Sequence, residues 1–227
     1  MPPKNASERF TGFTPEAGAF LWELSFNNER PWFLAHKEQF EQVLNRPFRA
    51  LCAETEAQLN ARCADRRFEA HASRIYRDAR RLFGRGPYKD NLWFILTREE
   101  QRREGPAFWF EIGRVSCSAG VGFWDMSSAT AEAFRRQIDA NPARFERIVD
   151  ALDPELKLWG QTYKRPKGEC GEKLDPWYNR RTISLAREWE LGGAEREADF
   201  AARLAALYVH LMPLYDFLYE AWAASAG

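Results

Sequence analysis

Four short segments between residues 66 and 124 constrain the fold most, because they are rich in aromatic and β-branched side chains. They are residues 66–77, 91–99, 107–113 and 115–124. Their composition, and the Gly, Pro or charged residues at their ends, predict strands, with Gly113 and Arg114 as a hairpin turn. We therefore expect an antiparallel sheet of at least four strands in this part of the chain.

Helical patterns come before the predicted strands. Thr14 has the chemistry of an N-cap and Pro15 that of a first helical residue, and the Asn pair that begins at Asn27 ends the pattern. Apolar residues at three-and-four spacing then predict a longer helix from Pro31 to beyond Arg62. A proline at position 47 should kink or split that helix, because it lacks a backbone donor and clashes one turn back.

Helical patterns also follow the predicted strands. Ser127 or Ser128 can cap one helix, Pro142 can begin a shorter one, and an apolar stripe across residues 199–222 predicts a long closing helix. The order of elements indicates an α+β protein, with an antiparallel β-sheet, helices packed mainly on one face, an N-terminal helical pair and a long C-terminal helix. No linker or repeat divides the sequence, so we expect a single domain over residues 1–227, with an ordered core at about 10–222.

Composition narrows the classes of function. The chain has 227 residues, with 33 basic and 33 acidic side chains and no net charge. Balanced charge gives no general attraction to nucleic acid or to an anionic membrane, so neither is expected as a partner. No apolar run has the length of a membrane span and the first residues lack an apolar signal core, so we expect a cytoplasmic protein.

The cysteines and histidines offer no metal or redox motif. Cys52 and Cys63 lie eleven residues apart on one predicted helix, about 16 Å at the helical rise, which is too far for a disulfide. The other two cysteines lie alone and the three histidines show no metal-ligand spacing. We expect no metal site, and the sequence identifies no cofactor.

The most unusual segment is residues 73–91, here called the central basic loop. It carries six cations, interleaved with Tyr76 and Tyr88, against only Asp78 and Asp90. The cations are Arg74, Arg77, Arg80, Arg81, Arg85 and Lys89. Guanidinium groups and an ammonium that converge could bind a phosphate or carboxylate through charge-assisted hydrogen bonds. Alternatively the cations pair with nearby acids and fix the loop on the sheet, and a minor third interpretation is stacking of single-stranded nucleic acid.

Alternation along the predicted strands suggests where this loop lies. If residues 72–77 form a strand, Arg74 and Tyr76 share one face. In the strand at residues 107–113, Trp109 and Glu111 share a face in the same way. We expect these four side chains on one surface of the sheet, beneath the loop. An acid among so many arginines should also be bound by one of them, so we expect an arginine at Asp78.

A second basic loop follows at residues 163–173. Its cations are Lys164, Arg165, Lys167 and Lys173. Pro166 and Gly168 make it a turn, so its side chains should project from a loop, and a solvated loop is the simpler interpretation. The sequence has no catalytic triad, nucleophile elbow or zinc-protease motif, so no nucleophile can be named.

Three segments together resemble a known family. Residues 12–41, the central basic loop and the "KRPKG" segment at 164–168 resemble, in order, the bacterial and fungal domain-of-unknown-function family 2461, and the likeness extends from about Phe10 to Phe217. The resemblance implies a single α+β domain and brings no established activity, cofactor or substrate. Asn27, Asn28 and Trp32 match the family's early pattern, which suits loop anchoring as well as binding.

The family's central motif matches this chain at eight positions of the loop. These are Ser73, Arg74, Arg77, Asp78, Arg80, Pro87, Tyr88 and Lys89. Arg81 stands where the family usually has Phe, Gly84 where it has Asp, and Arg85 where it has Lys. The loop is therefore more positive here, and the resemblance does not support carboxylate chemistry at Gly84.

We expect an anion-binding cleft for a phosphate- or carboxylate-bearing ligand. Its expected ligand-binding residues are Arg74, Arg77, Arg80, Tyr88, Lys89, Glu111 and Lys167. If the protein is an enzyme, a phosphoester reaction is favoured, with Asp78 as the catalytic base or an orienting carboxylate. The alternative is a non-catalytic interaction module whose arginines form a structural ion-pair network. Oligomeric state and substrate are not determined by the sequence.

Overall fold

The helices and strands follow the predicted order. In the computed structural model, residues 9–63, 65–78, 80, 84–101 and 104–225 are described. The helices are α1 (Pro15–Phe26), α2 (Arg30–Ala35), α3 (Lys37–Phe40), α4 (Arg46–Arg62), α5 (Ser128–Ala140), α6 (Pro142–Asp150), α7 (Asp175–Tyr178), α8 (Phe200–His210) and α9 (Met212–Ala223). The strands are β1 (Phe68–Ala72), β2 (Leu92–Arg98), β3 (Ala107–Ile112), β4 (Ser116–Gly122), β5 (Lys157–Trp159) and β6 (Ser184–Glu190).

Helix starts lie where capping residues predicted them. Thr14 is the N-cap of α1 and Asn27 its C-cap. Ser127 is the N-cap of α5, and its hydroxyl accepts a hydrogen bond from the Thr130 backbone N–H at 3.0 Å. Asn141 caps α6, in which Pro142 is the first residue. The Ser127 and Asn141 side chains each satisfy a backbone donor that has no partner inside its helix, whereas the Thr14 side chain does not bond to the backbone of α1.

The two predicted long helices are each divided. A non-helical residue, His36, separates α2 from α3, and a π-helical turn at Glu41–Asn45 separates α3 from α4. Pro47 lies directly after this wider turn, which accommodates the proline ring and its missing donor. Near the C-terminus the helix breaks at Leu211, two residues before Pro213, for the same reason.

In the described part of the chain, six strands form an antiparallel sheet in the order β1-β2-β3-β4-β6-β5. The predicted antiparallel sheet between residues 67 and 124 is confirmed, and the Gly113 N–H donates to the Ser116 carbonyl at 2.9 Å to close the β3–β4 turn. The prediction of a strand at 72–77 is wrong. The strand ends at Ala72, and beyond it Tyr76 forms an isolated bridge with Tyr88, next to backbone hydrogen bonds from Arg77 to Pro87 and from Lys89 to Ile75. Strand β6 was not predicted.

Contacts between residues divide the chain into two compact units. The first comprises Met1–Leu96, Trp109–Ser118 and Glu188–Ala206, and the second Thr97–Phe108, Ala119–Arg187 and Leu207–Gly227. The single-domain organisation stays a prediction. No helix within the described ranges is long and apolar enough to cross a membrane.

Each unit has a core of aromatic rings. In the first unit, buried rings link α4 to α8 through two strands, with 5.8 Å between the centroids of Phe48 and Phe94, 5.4 Å from Phe94 to Phe110, and 5.6 Å from Phe110 to Phe200. In the second unit, Phe108 of β3 stacks 4.6 Å from Tyr215 of α9. Burial of this area is the main term that stabilises such cores.

Candidate functional site

A side-chain amide from the N-terminal helices holds the central basic loop. The Asn28 Nδ2 donates to the Tyr88 carbonyl at 2.9 Å, and the Tyr88 N–H donates to Asn28 Oδ1 at 2.9 Å. The Tyr88 ring is buried and stacks 4.1 Å from Phe33. A Cβ at position 86 would lie 2.3 Å from the Asn28 Cγ, so only glycine fits there. Asn28 therefore has the loop-anchoring role that the sequence left open.

Arg77 uses its donors inside the protein. Its Nε donates to the Tyr88 carbonyl at 2.7 Å, and its Nη2 lies 3.4 Å from Asp90 Oδ1. The other Asp90 oxygen lies 3.4 Å from Arg114 Nε. With its side chain only 18% exposed, Arg77 joins both ends of the loop. It belongs to the structural network while still adding positive charge to its surroundings.

Arg80 and Asp78 are bound to each other. The Arg80 Nε and Nη2 donate to the two Asp78 oxygens at 3.0 and 2.8 Å. The prediction that an arginine binds Asp78 is confirmed. The Arg80 side chain is 88% exposed, and ion pairs at such positions contribute little to stability. Arg81, the neighbouring cation of the motif, lies outside the described residues.

Two other cations of the loop, Arg74 and Lys89, differ from Arg77 and Arg80. Arg74 is exposed and forms no hydrogen bond or ion pair with any described residue. The Lys89 ammonium lies 5.4 Å from the centroid of the Trp93 ring, and no carboxylate of the described chain lies within ion-pair distance of it. Burial lowers the pKa of Lys89, and the charges of Arg77 and Arg74 lower it further. The three cations are thus close enough to repel one another.

Glu111 lies beside the end of the loop. Burial raises the pKa of its carboxyl group, a hydrogen bond from Asn91 lowers it, and the charges of Asp90 and Glu188 raise it again. The pKa of Glu111 is therefore raised beside the loop, and acids with shifted pKa values often belong to functional sites. Among the described residues, no group of three or more His, Cys, Asp or Glu could hold a metal ion.

The prediction that Arg74, Tyr76, Trp109 and Glu111 share one face of the sheet depended on a strand at residues 72–77, and the structure has no such strand. Because β1 ends at Ala72, strand alternation does not determine the orientation of Arg74 and Tyr76. The Tyr76 ring is 51% exposed and lies 5.8 Å, edge-on, from Phe33 and 5.4 Å from Tyr88. It therefore packs with the aromatic residues that anchor the loop.

The last predicted ligand-binding residue, Lys167, belongs to the second unit. Its backbone N–H donates to Asn179 Oδ1 at 2.6 Å, and Asn179 Nδ2 donates to the Gly168 carbonyl at 3.1 Å. Its ammonium lies 4.8 Å from the centroid of the Tyr163 ring. In the same loop, Lys173 pairs with Asp150 at 2.6 Å.

Sequence reasoning missed both asparagine contacts and a second cation at Tyr163. The Arg135 guanidinium of α5 lies 5.4 Å from the centroid of that ring. Asn28 carried a signal, because it precedes a helix junction within a family motif. Asn179 and Arg135 carried none, since an isolated polar residue far along the chain does not reveal its partner.

Comparison with known families agrees with the resemblance in the sequence. The family model described as "Conserved hypothetical protein (DUF2461)" matches residues 16–217. This match includes both basic loops and every candidate site residue. A search of curated proteins gives no match.

Proposed function

The chain belongs to the DUF2461 family of conserved hypothetical proteins, and we propose that its first unit binds a small phosphate- or carboxylate-bearing ligand at Lys89 and Arg74. Arg77 adds charge behind these two residues. The family supplies no activity, so the proposal rests on the state of the loop's cations. Charge-assisted hydrogen bonds from a guanidinium and an ammonium are well suited to either anion.

The observation that carries the proposal is the environment of Lys89. Its ammonium is partly withdrawn from water, lies over Trp93, and is surrounded by positive rather than negative charge. Such an arrangement costs free energy in the unliganded protein. An anion would offset that cost, which gives binding a physical reason that a solvated lysine lacks.

The paired cations support the alternative function for part of the loop. Arg77 binds a backbone carbonyl and Asp90, and Arg80 binds Asp78. We assign Arg77 and Arg80 to the structural network and reserve the ligand for Lys89 and Arg74. A purely structural role for the loop does not explain why Lys89 is partly buried without a carboxylate partner in the described chain.

A more specific form of the proposal is that the protein catalyses a phosphoester reaction. In it, Asp78 orients Arg80, because both of its oxygens accept from that guanidinium. The acid–base role falls to Glu111, whose raised pKa allows the carboxyl group to hold a proton closer to neutral pH. Replacing Glu111 with Gln should then abolish any phosphatase activity but leave phosphate binding in place.

Thermal unfolding with added inorganic phosphate tests the binding proposal. A ligand that binds the native state raises the free energy of unfolding by mass action, by about 2.7 kcal/mol at a hundredfold excess over Kd, and the melting temperature rises with it. We expect this rise in the unmodified protein and a smaller rise in Lys89→Gln, with Arg74→Gln between the two. Lys37→Gln, at an exposed lysine of α3, is the matched control and should behave like the unmodified protein.

Two outcomes would contradict the proposal. One is an unmodified protein whose melting temperature does not respond to phosphate, pyrophosphate or citrate. The other is a Lys89→Gln variant that keeps the full response. If the response is present, a panel of phosphorylated metabolites extends the same measurement to the natural ligand.

A further inference from the structure

Arg135 has a buried donor, Nη1, that lacks a hydrogen-bond partner among the described residues. The guanidinium lies 5.4 Å from the centroid of the Tyr163 ring, which contributes a cation–π contact but accepts no in-plane hydrogen bond. A buried charged donor without a partner is costly, and in native proteins it usually marks a missing ligand or water.

A second cation converges on the same ring. The Lys167 ammonium lies 4.8 Å from the Tyr163 centroid, within the range of a cation–π contact. The backbone around Lys167 is fixed, since Asn179 binds both Lys167 N–H and the Gly168 carbonyl. A Cβ at position 168 would lie 2.9 Å from the Tyr178 ring, so glycine allows this close approach.

Asp139 does not form an ion pair with either cation. Asp139 lies one helical turn from Arg135 on α5, but its Oδ2 accepts a hydrogen bond from the Tyr178 hydroxyl at 3.1 Å. Over the described ranges, neither Arg135 nor Lys167 forms an ion pair with a carboxylate. Both cations therefore contact one ring, and neither is paired with a carboxylate of the described chain.

We propose that Arg135 and Lys167 form a second anion site over Tyr163, which takes one phosphate or carboxylate group. The Arg135 fork would turn outward to donate Nη1 to an anion oxygen, and Lys167 would close over it from the loop. Tyr163 holds the two cations in position through its ring. All of these residues belong to the second unit, so the site goes beyond the function proposed for the first.

Calorimetric titration with inorganic phosphate at constant ionic strength tests the second site. The Lys89→Gln variant serves as the background, because it removes the site proposed in the first unit. We expect this variant to bind one phosphate, and the addition of Lys167→Gln to weaken that binding about tenfold or more. Adding Lys164→Gln instead should leave the affinity unchanged, since Lys164 is exposed in the same loop and loses the same charge.

Arg135→Lys gives an independent check on the same background. It keeps the charge but loses the planar fork, so phosphate should bind about tenfold more weakly. Lys167 is exposed, so its replacement leaves the core intact, and a circular dichroism spectrum confirms that each variant is folded. Succinate in place of phosphate shows which anion the site prefers.

The proposal is overturned if Lys89→Gln binds no phosphate or succinate, or if Lys167→Gln and Lys164→Gln have equal affinities on that background. A different result would contradict the proposal for the first unit. In that case Lys89→Gln binds phosphate with the stoichiometry of the unmodified protein, and Lys167→Gln alone removes all binding.

Discussion

In both basic loops an asparagine side chain binds the backbone, but the surroundings of the two loops differ. In each, one asparagine amide binds backbone N–H and C=O groups of the loop, Asn28 at Tyr88 and Asn179 at Lys167 and Gly168. In each, a lysine lies over an aromatic ring without a carboxylate partner in the described chain. The backbone held at Tyr88 belongs to a buried residue, whereas that at Lys167 belongs to an exposed one.

Comparison of the two loops shows that the number of cations in a segment does not identify a binding site. Both loops contain cations that are neutralised by a neighbour, such as Arg80 by Asp78 and Lys173 by Asp150. What separates a candidate ligand residue from these is desolvation without a counter-charge. Lys89 meets this condition in the first loop, and Arg135 meets it beside the second.

The largest expected effect comes from breaking the two asparagine contacts. Asn28→Ala removes two hydrogen bonds to the buried Tyr88 backbone and should lower the free energy of unfolding by about 2–4 kcal/mol. Asn179→Ala should cost about 1 kcal/mol or less, because water can replace the amide at an exposed loop. Urea unfolding of both variants measures the difference, and equal losses would contradict the contrast between the loops.

Arg77→Gln should have the next largest effect. The change removes one of the two donors to the Tyr88 carbonyl, which keeps Asn28 Nδ2, and leaves Asp90 with Arg114 as its remaining partner, at a cost of about 1.5–3 kcal/mol in the free energy of unfolding. Arg80→Gln is the control, since Arg80 is highly exposed and its loss should be hardly measurable. An Arg77→Gln variant as stable as the unmodified protein would remove Arg77 from the structural network.

Lys89→Gln should be neutral or slightly stabilising without ligand, by less than about 1 kcal/mol because solvent screens a partly exposed charge. The pKa of Lys89 is lower in the folded than in the unfolded protein, so its cost is fully present below the folded pKa and disappears as the pH rises towards the unfolded value. The stabilisation should therefore be largest near neutral pH. A clear loss of stability in Lys89→Gln at neutral pH would indicate a structural role instead.

The smallest expected effect is at Glu111. Burial raises the pKa of this carboxyl group on folding, so its contribution to stability is present below the unfolded pKa and is lost as the pH rises through the folded pKa. Glu111→Gln should stabilise the protein at about pH 7 relative to about pH 4, by a few tenths of a kcal/mol after solvent screening. Melting temperatures of both proteins across this range measure it, and parallel curves would contradict the raised pKa.

Much of the fold could be predicted because its signals are local. Thr14 and Ser127 stand at the N-cap positions of α1 and α5, the Ser127 side chain binds the backbone of its own helix, and the aromatic segments that became β2, β3 and β4 have the composition of strands. The breaks at His36 and Leu211 and the strand Ser184–Glu190 were missed. These depend on tertiary packing, which can override a continuous helical pattern or select a strand from a mixed sequence.

The site was predictable only in outline. The sequence located the cations of the central basic loop, but their division into paired and unpaired groups depends on partners distant in the chain. Arg77 is bound by the Tyr88 carbonyl, and every residue has such a carbonyl, so no sequence pattern marks this one. Asn28 lies sixty residues from Tyr88, and Arg135 on α5 meets Tyr163 of the second basic loop.

The pKa of Lys89 with and without phosphate tests the central claim most directly. It can be followed by NMR in protein with 13C-labelled lysine, with the Lys89 signal assigned by its absence in Lys89→Arg. Without ligand the pKa should lie below the ordinary value of 10.5, and saturating phosphate should raise it, because a bound anion favours the charged ammonium. An ordinary pKa in the free protein, or a lowered pKa that phosphate leaves unchanged, would contradict the account.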